Sequence, residues 1–321
     1  MPLFLSPRSP LLCARGLSRV GEYAYYAIIF ADGATTALSS LLRRLYLATL
    51  FILGAPWLLS WWGARRFAGC FRYYVLHNRS FEMDYREVLQ RLAPSGVLHV
   101  GASTAQEAAI YAAAGVRRVV WVEAQPALEA PLRRAVADVD AKAWGAPPAR
   151  REDGPEVAIA AVSDATGVPI RMTITNNSIS SSLLPLGAGH LTYLPFIKAL
   201  EADPSTSLAV DVRTITLAEL LRRERIDASR LDFLYLDTQG SELAVLRGAG
   251  EPLLARLRAV LTEVSTEEHY VGGCDMGQLD AFLGARGFAR TVTHLPPLGH
   301  GNALYERVAA KGGATNGIKE E

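Results

Sequence analysis

Short apolar runs alternate along this chain with longer segments in which apolar residues recur at the spacing of helical turns. The runs predict buried strands at 97–101, 118–123, 157–162, 231–237 and 258–264. The longer segments predict helices at 84–92, 104–114, 126–139, 216–225 and from about 241 onward. Strands that alternate with helices form βαβ units, so we predict an α/β fold with a doubly wound, mostly parallel sheet.

The end of this pattern differs from the rest. A helix is predicted over 275–286, where Asp275 can cap the first turn, and two strands follow at 288–294 and 302–308. Only the tight loop LPPLGHG separates these strands, and it is too short for a helical crossover. The sequence therefore predicts a seven-stranded sheet whose last strand is antiparallel.

The N-terminal region, residues 1–80, contains the most apolar segment of the chain. Leu45–Ala64 has twenty residues without a charge, flanked by Arg43 and Arg44 and by Arg65 and Arg66. This is long enough to span a bilayer as a helix, with the following domain on the cytoplasmic side. The alternative is a buried or interfacial helix of a cytoplasmic protein. We expect the domain itself over 81–308 and a disordered, glycine-rich tail over 309–321.

Charge and cysteine content exclude several classes of protein. The chain has 33 basic and 32 acidic residues, whereas a nucleic-acid-binding protein usually carries a basic excess. Cys13, Cys70 and Cys274 are far apart and form no metal-binding pair, so we expect neither a metal site nor a disulfide framework. Such cysteine usage is typical of a reducing compartment.

The first two predicted strands end in candidate ligand-binding residues. Gly101, Ala102 and Ser103 follow the first strand, where glycine permits a sharp turn and free backbone amides can bind an anion. Glu123 ends the next strand, and an acidic residue about 20 residues after such a turn binds a ribose diol in doubly wound folds. The turn lacks G-x-G-x-x-G, which disfavours a nicotinamide oxidoreductase. An ordinary turn with a solvated glutamate is the alternative.

Two further turns carry acids at the same edge of the predicted sheet. Ser163 and Asp164 follow the third strand, where they can meet an adenine ring or simply form a turn. Asp237 ends the fourth strand, and Glu242 begins the next helix. Two carboxylates this close repel each other unless solvent or a cation separates them, which favours a positively charged ligand. Glu242 can alternatively stabilise only the helix N-terminus.

The segment around Asp237, LDFLYLDTQGSELAVLRGA, resembles the strand-to-helix signature of the FkbM methyltransferase family. Other segments resemble motifs of this family in the same order: VLHVGASTAQEAAIYAAAGVRRVVWVEAQP, AAVSDATG, NNSISSSLLPL, LTEVSTEEHYVGG and GNALY. Together they cover roughly residues 95–308. Several motifs in the right order make a much more specific resemblance than any one of them.

The resemblance implies a class I, Rossmann-like methyltransferase domain with S-adenosylmethionine as its cofactor. It also implies methyl transfer to a hydroxyl of a sugar, glycolipid or natural product. The residues expected in the cofactor site are Gly101, Ala102, Ser103, Glu123, Ser163, Asp164 and Asp237. Two positions depart from the family pattern, since Ala105 stands where a glycine is frequent and Asn302 where an acid is frequent.

The group that takes the acceptor's proton is less clearly marked. Methylation of an alcohol requires removal of that proton in the transition state. The groups available near strand ends or loops are Glu242, Glu263, His190, His269 and His300. We select His269, which follows the fifth strand, and count Asp237 and Glu242 as further catalytic candidates. His99 lies within a strand and is expected in the core. The alternative function is a non-catalytic binding or scaffold protein that retains the fold.

Overall fold

A computed structural model describes residues 85–144, 156–175, 179–188, 210–297 and 299–308, together with Met83 and scattered residues between 45 and 76. The strands in this part of the chain are β1 (Val97–Val100), β2 (Val119–Glu123), β3 (Val157–Ile159), β4 (Ala161–Ser163), β5 (Pro169–Met172), β6 (Val210–Thr216), β7 (Phe233–Leu236), β8 (Ala259–Ser265), β9 (Phe288–His294) and β10 (His300–Arg307). The α-helices are α1 (Arg86–Leu92), α2 (Ala108–Ala113), α3 (Glu129–Trp144), α4 (Leu217–Arg223), α5 (Glu242–Arg247), α6 (Glu251–Arg256) and α7 (Met276–Gly284).

Seven of the described strands form one sheet in the order β3-β2-β1-β7-β8-β10-β9. Strand β10 is antiparallel to both of its neighbours, β8 and β9, and the other pairs are parallel. This confirms the predicted class I methyltransferase fold. The strand order reverses between β1 and β7, and ligands of doubly wound sheets bind at such a switch point, beyond the carboxyl ends of the strands.

The predicted third strand over 157–162 is two strands in the structure. Residues 157–159 pair with β2, whereas 161–163 pair in parallel with β6 in a smaller sheet of order β4-β6-β5. Ala160 lies between them and donates its backbone N–H to the Glu123 carbonyl at 2.8 Å. A continuous apolar run contains no signal for such a change of partner. Strands β5 and β6 were not predicted, because they mix polar with apolar residues and most of their positions are exposed or half-exposed.

Helix ends follow their local sequence signals. The Thr216 hydroxyl accepts the Glu219 amide at the start of α4. Asp275 and Gln278 form a reciprocal capping box at the start of α7, where the aspartate was predicted as the cap. Helix α2 begins at Ala108, later than the predicted 104, because the residues after Gly101 form an irregular turn instead.

The central strands of the sheet, β1 and β7, are buried on both faces. One face packs leucines and valines such as Leu98, Leu234 and Val260 against α4 and α5. The other carries an aromatic group that contains His99, whose ring stacks on Tyr235 with centroids 4.2 Å apart. Burial lowers the pKa of His99 to about 3, so this imidazole is neutral and belongs to the core.

Most of Leu45–Ala64 lies outside the described residues, as does the predicted tail over 309–321. Within the described residues, no helix is long and apolar enough to cross a bilayer. The membrane anchor therefore stays a prediction from the sequence.

Candidate functional site

A cavity of about 560 Å³ opens at the carboxyl edge of the large sheet, next to the switch point between β1 and β7. Its volume falls in the range of small-molecule sites, about 300–1,000 Å³. The ends of β1, β2, β7 and β8 contribute to its walls, and residues 179–183 form another part of the lining. Four of the strand ends that the sequence predicted therefore lie together around this cavity.

The lining of this cavity is acidic. Among the described residues it contains no lysine or arginine, and its carboxylates are Glu107, Glu123, Asp237, Glu242, Glu263, Glu267, Glu268 and Asp275. A group of carboxylates favours a cationic or hydroxyl-bearing ligand and repels an anionic one. The electrostatics of the cavity therefore match a positively charged ligand.

The turn after β1 is held in an unusual backbone conformation. Gly101, Ser103 and Ala105 have positive φ angles of 91°, 45° and 55°. A Cβ atom on Gly101 would lie 1.7 Å from the Asp237 carbonyl oxygen, so only glycine fits there. Gly101 and Ser103 line the cavity, whereas Ala102 is fully buried and is not part of the lining. Ala105 thus occupies a left-handed position that glycine would adopt without strain.

Glu123 is fixed by the backbone around it. The Ser103 amide donates to Oε2 at 2.7 Å, and the Gln125 amide donates to Oε1 at 2.8 Å. Burial raises the pKa of Glu123, and the hydrogen bonds to the ionised form oppose that rise. The Ala124 backbone amide and the Gln125 side chain also donate to this carboxylate, which lines the cavity in a fixed position.

The turn after β7 has a different construction. Gln239 has a φ angle of 56° and donates from Nε2 to Asp237 Oδ1 at 2.6 Å and to Glu263 Oε2 at 3.0 Å. Its Oε1 lies 2.6 Å from the Tyr270 hydroxyl, which is also 3.0 Å from the Ser180 carbonyl oxygen. The Ser182 hydroxyl donates to the Gln239 carbonyl at 2.8 Å. The serine-rich segment is thereby tied to the acids of the site.

Glu242 has a buried carboxylate that folds back on its own turn. Oε1 accepts the backbone N–H groups of Thr238 at 2.9 Å and Gly240 at 3.1 Å. Oε2 accepts the Cys274 thiol at 3.4 Å. Burial raises the pKa of Glu242. These contacts stabilise the turn that carries Asp237, and its role as a catalytic group stays a prediction.

The remaining predicted residues fall in two places. His269 is buried in the cavity wall, with its ring 5.0 Å from that of His300, and both histidines line the cavity. Ser163 and Asp164 lie at the end of β4, outside the lining, and the Ser163 hydroxyl bonds Asp164 at 3.4 Å. Ala160 and Val162, which precede them, are part of the lining instead. The assignment of Ser163 and Asp164 to the adenine edge stays a prediction.

The sequence analysis did not single out Gln239 or Tyr270. The signal for Gln239 was present, because the family signature has glutamine immediately before the glycine, as in the DTQG segment here. A signal for Tyr270 was also present, because the family segment that LTEVSTEEHYVGG resembles has a tyrosine there, but its contact with Gln239 joins segments 31 residues apart.

Comparison with known proteins decides the family. The model of the FkbM methyltransferase domain matches residues 95–289, which is more than half of the chain. The chain belongs to the FkbM methyltransferase family. This membership confirms the family and the cofactor, S-adenosylmethionine, that the sequence motifs indicated.

Solved structures similar to this FkbM chain share little sequence with it. A magnesium protoporphyrin IX methyltransferase from Synechocystis PCC 6803, with bound S-adenosylmethionine, is 11% identical, with a TM-score of 0.37, covering 70% of this chain and 77% of that chain. An FkbM methyltransferase from Methylobacillus flagellatus KT is 14% identical, with a TM-score of 0.41, covering 75% of this chain and 54% of that chain. Among curated proteins, none matches the sequence.

Proposed function

We propose that this protein is an O-methyltransferase that transfers the methyl group of S-adenosylmethionine to a hydroxyl of an uncharged acceptor, such as a sugar, a glycolipid or a natural product. The observation that carries this proposal is the acidic cavity at the switch point, lined by Glu123, Asp237 and Glu263 and, among the described residues, by no lysine or arginine. A phosphorylated or carboxylated acceptor would meet carboxylates there without a balancing cation.

The residues present fit the methyl donor. Glu123 can accept hydrogen bonds from the ribose hydroxyls, because backbone amides hold its carboxylate in the cavity wall at the end of β2. Ala160 and Val162 offer an apolar wall for the adenine ring. Asp237 supplies negative charge for the methionine end. When bound, S-adenosylmethionine supplies an electrophilic methyl group on a sulfonium cation.

The chain's own groups then orient the acceptor and receive its proton. Tyr270 holds the side chain of Gln239, which in turn holds Asp237 and Glu263. Segment 179–183 lines the cavity beside them and contributes three serines to its wall. His269 and His300 lie in the same wall and can carry a proton onward.

The test combines calorimetry with a transfer assay. The full-length protein should bind S-adenosylmethionine, and cell extract incubated with labelled donor and protein should yield a labelled neutral compound. Mass spectrometry of the product identifies whether a hydroxyl was methylated. Binding without any transfer would favour the scaffold function instead, and a labelled amine, carboxylate or phosphate would contradict the proposed acceptor.

We also propose that Leu45–Ala64 attaches the protein to a membrane, with the catalytic domain on the cytoplasmic side. The support is the charge-free length of this segment and the arginines that flank it. An alkaline carbonate wash of membranes from cells that express the full chain tests this. Complete release into the soluble fraction would contradict an integral anchor.

A further inference from the structure

Glu263 and Asp237 come from neighbouring strands, β8 and β7, and meet above the end of the sheet. One amide group, Gln239 Nε2, donates to both, at 2.6 Å to Asp237 and 3.0 Å to Glu263. The shared donor brings the two carboxyl groups close together, and the charge of Asp237 contributes to the raised pKa of Glu263. Two ionised carboxylates this close repel each other, which favours one proton on the pair.

The bridging amide is also contacted at its other end. The Tyr270 hydroxyl lies 2.6 Å from Gln239 Oε1 and 3.0 Å from the Ser180 carbonyl oxygen, and these two acceptors share its one hydrogen. The amide nitrogen faces the acids, and its N–H groups are directed at their oxygens. This arrangement accommodates one negative charge shared between two carboxyl groups, and the neutral amide does not compensate a second charge.

We infer that Asp237 and Glu263 hold one shared proton in the free protein, that binding of the cationic methyl donor expels it, and that Glu263 is then the base that accepts the acceptor's proton. The inference rests on the proposed function, because it requires S-adenosylmethionine to bind beside Asp237. A positive ligand favours the doubly ionised pair, so donor and proton compete for the same site.

The groups around the pair raise its affinity for a proton. Burial and the negative charges of Asp237 and Glu242 raise the pKa of Glu263 well above its usual value. The other titratable groups that line the cavity near it are Tyr235 on β7, His269 and Tyr270 after β8, Cys274 before α7 and His300 on β10. Burial raises the pKa values of Tyr235, Tyr270 and Cys274, so all three stay neutral.

The transfer step balances with Glu263 as the base. The acceptor oxygen forms a bond to the methyl carbon and gives its hydrogen to the Glu263 carboxylate. The electrons of the broken carbon–sulfur bond stay on sulfur, which leaves the cofactor product without its sulfonium charge. The pair has then regained its single proton, and the neutral thioether no longer favours the ionised state.

The experiment compares two ligands that differ in this charge. S-adenosylmethionine and S-adenosylhomocysteine share their amino and carboxylate groups, so the titration of those groups cancels in the comparison. Calorimetry in two buffers of different ionisation enthalpy counts the protons released on binding. Apart from protons that come from the shared amino and carboxylate groups, we expect binding of S-adenosylmethionine to release up to about one proton. Binding of S-adenosylhomocysteine should release nearly none. As pH increases toward the pKa of the pair, the affinity for S-adenosylmethionine relative to S-adenosylhomocysteine should rise by up to about tenfold per pH unit.

A matched pair of variants assigns the proton. Glu263→Gln mimics the protonated acid, so it should bind the donor without excess proton release and lose about 100-fold or more in methyl transfer from labelled donor to cell extract. Glu87→Gln makes the same change at an exposed position on α1, outside the cavity, and should keep the proton release. The comparison of the two ligands uses the unaltered protein, so it tests the shared proton even if a variant does not fold.

The outcomes separate this inference from the proposed function. Donor binding with equal proton release for both ligands would overturn the shared proton while leaving the methyltransferase intact. Full transfer activity in Glu263→Gln would overturn the base. Failure of the folded protein to bind S-adenosylmethionine at all would overturn the proposed function, and the inference with it.

Discussion

Two acidic turns meet at the edge of the sheet, and they hold their carboxylates in different ways. Glu123 receives one backbone amide on each oxygen, from Ser103 and Gln125, so its position is set by the main chain. Asp237 and Glu263 instead share one side-chain amide, that of Gln239. Backbone donors make ionised Glu123 a rigid acceptor for neutral hydroxyls, whereas the shared amide leaves the second pair able to change charge.

The two turns are also in direct contact. The missing side chain of Gly101 leaves room for the Asp237 carbonyl, which a Cβ atom would approach to 1.7 Å. Strand β1 pairs with both β2 and β7, so it places the rigid acceptor and the charge-variable pair on opposite sides of one turn. The comparison predicts that substitutions in the second turn act mainly on rate and those in the first turn mainly on binding and stability.

The largest effect is expected from Asp237→Asn. This change keeps the shape of the side chain but removes one of the two negative charges that the pair carries with the donor bound, so methyl transfer should fall by about 100-fold or more. Circular dichroism should show an intact fold. Asp211→Asn, the same change at an exposed position on β6, is the control and should keep normal turnover. Near-normal turnover in Asp237→Asn would remove Asp237 from the site.

Glu123→Ala is expected to weaken donor binding by about 1.5–3 kcal/mol, the scale of hydrogen bonds to a charged group. That is roughly a 10-fold to 150-fold rise in Kd. Titration calorimetry with S-adenosylmethionine measures it. The rate of methyl transfer by Glu123→Ala at saturating donor should change much less than that of Asp237→Asn. Unchanged affinity would show that the ribose does not contact this carboxylate.

The glutamine substitutions at 123 and 263 should have opposite effects on stability. A glutamine at 123 would turn an N–H₂ group toward a backbone donor, which should cost about 1–3 kcal/mol. Glu263→Gln relieves the repulsion from Asp237 and should stabilise the ligand-free protein by about 0.5–2 kcal/mol. Denaturant unfolding of both variants measures this contrast, and equal destabilisation would contradict it.

The stability that Glu263→Gln gains over the unaltered protein should depend on pH. The pKa of Glu263 is raised in the folded protein, so above the usual value of 4.5 the unfolded chain loses this proton first. The unaltered protein therefore loses stability as pH rises from about that value toward the folded pKa, and the glutamine variant does not. The two unfolding curves should converge in acid and separate toward neutral pH. A constant gap across this range would contradict the shared proton.

The sequence predicted what depends on local pattern and on motif order. Strands β1, β2, β7 and β8 were visible because each is a short apolar run, and the antiparallel β10 followed from a loop too short for a crossover. The split at Ala160 was not visible, since an apolar run does not record which strand each half pairs with. Glu263 appeared only among several candidate bases. Its contact with Asp237 depends on the pairing of β7 with β8 and on the rotamer of Gln239, neither of which leaves a pattern in sequence.

The smallest expected effect concerns the strained turn after β1. Ser103 and Ala105 both have positive φ, which costs a residue with a side chain about 1–2 kcal/mol relative to glycine, partly offset by the entropy that glycine adds to the unfolded chain. Ser103 is only half-buried, so Ser103→Gly should raise stability by about 0.5 kcal/mol. Ala105→Gly should gain nothing, because it also removes a buried methyl worth about 0.8 kcal/mol. Thermal unfolding of the two variants measures the difference.

If both variants were destabilised equally, the backbone strain would lie elsewhere. If both were stabilised, the Ala105 methyl would contribute no packing. Donor affinity should be unchanged in Ser103→Gly, since its contact with Glu123 is made by the backbone amide and survives the substitution.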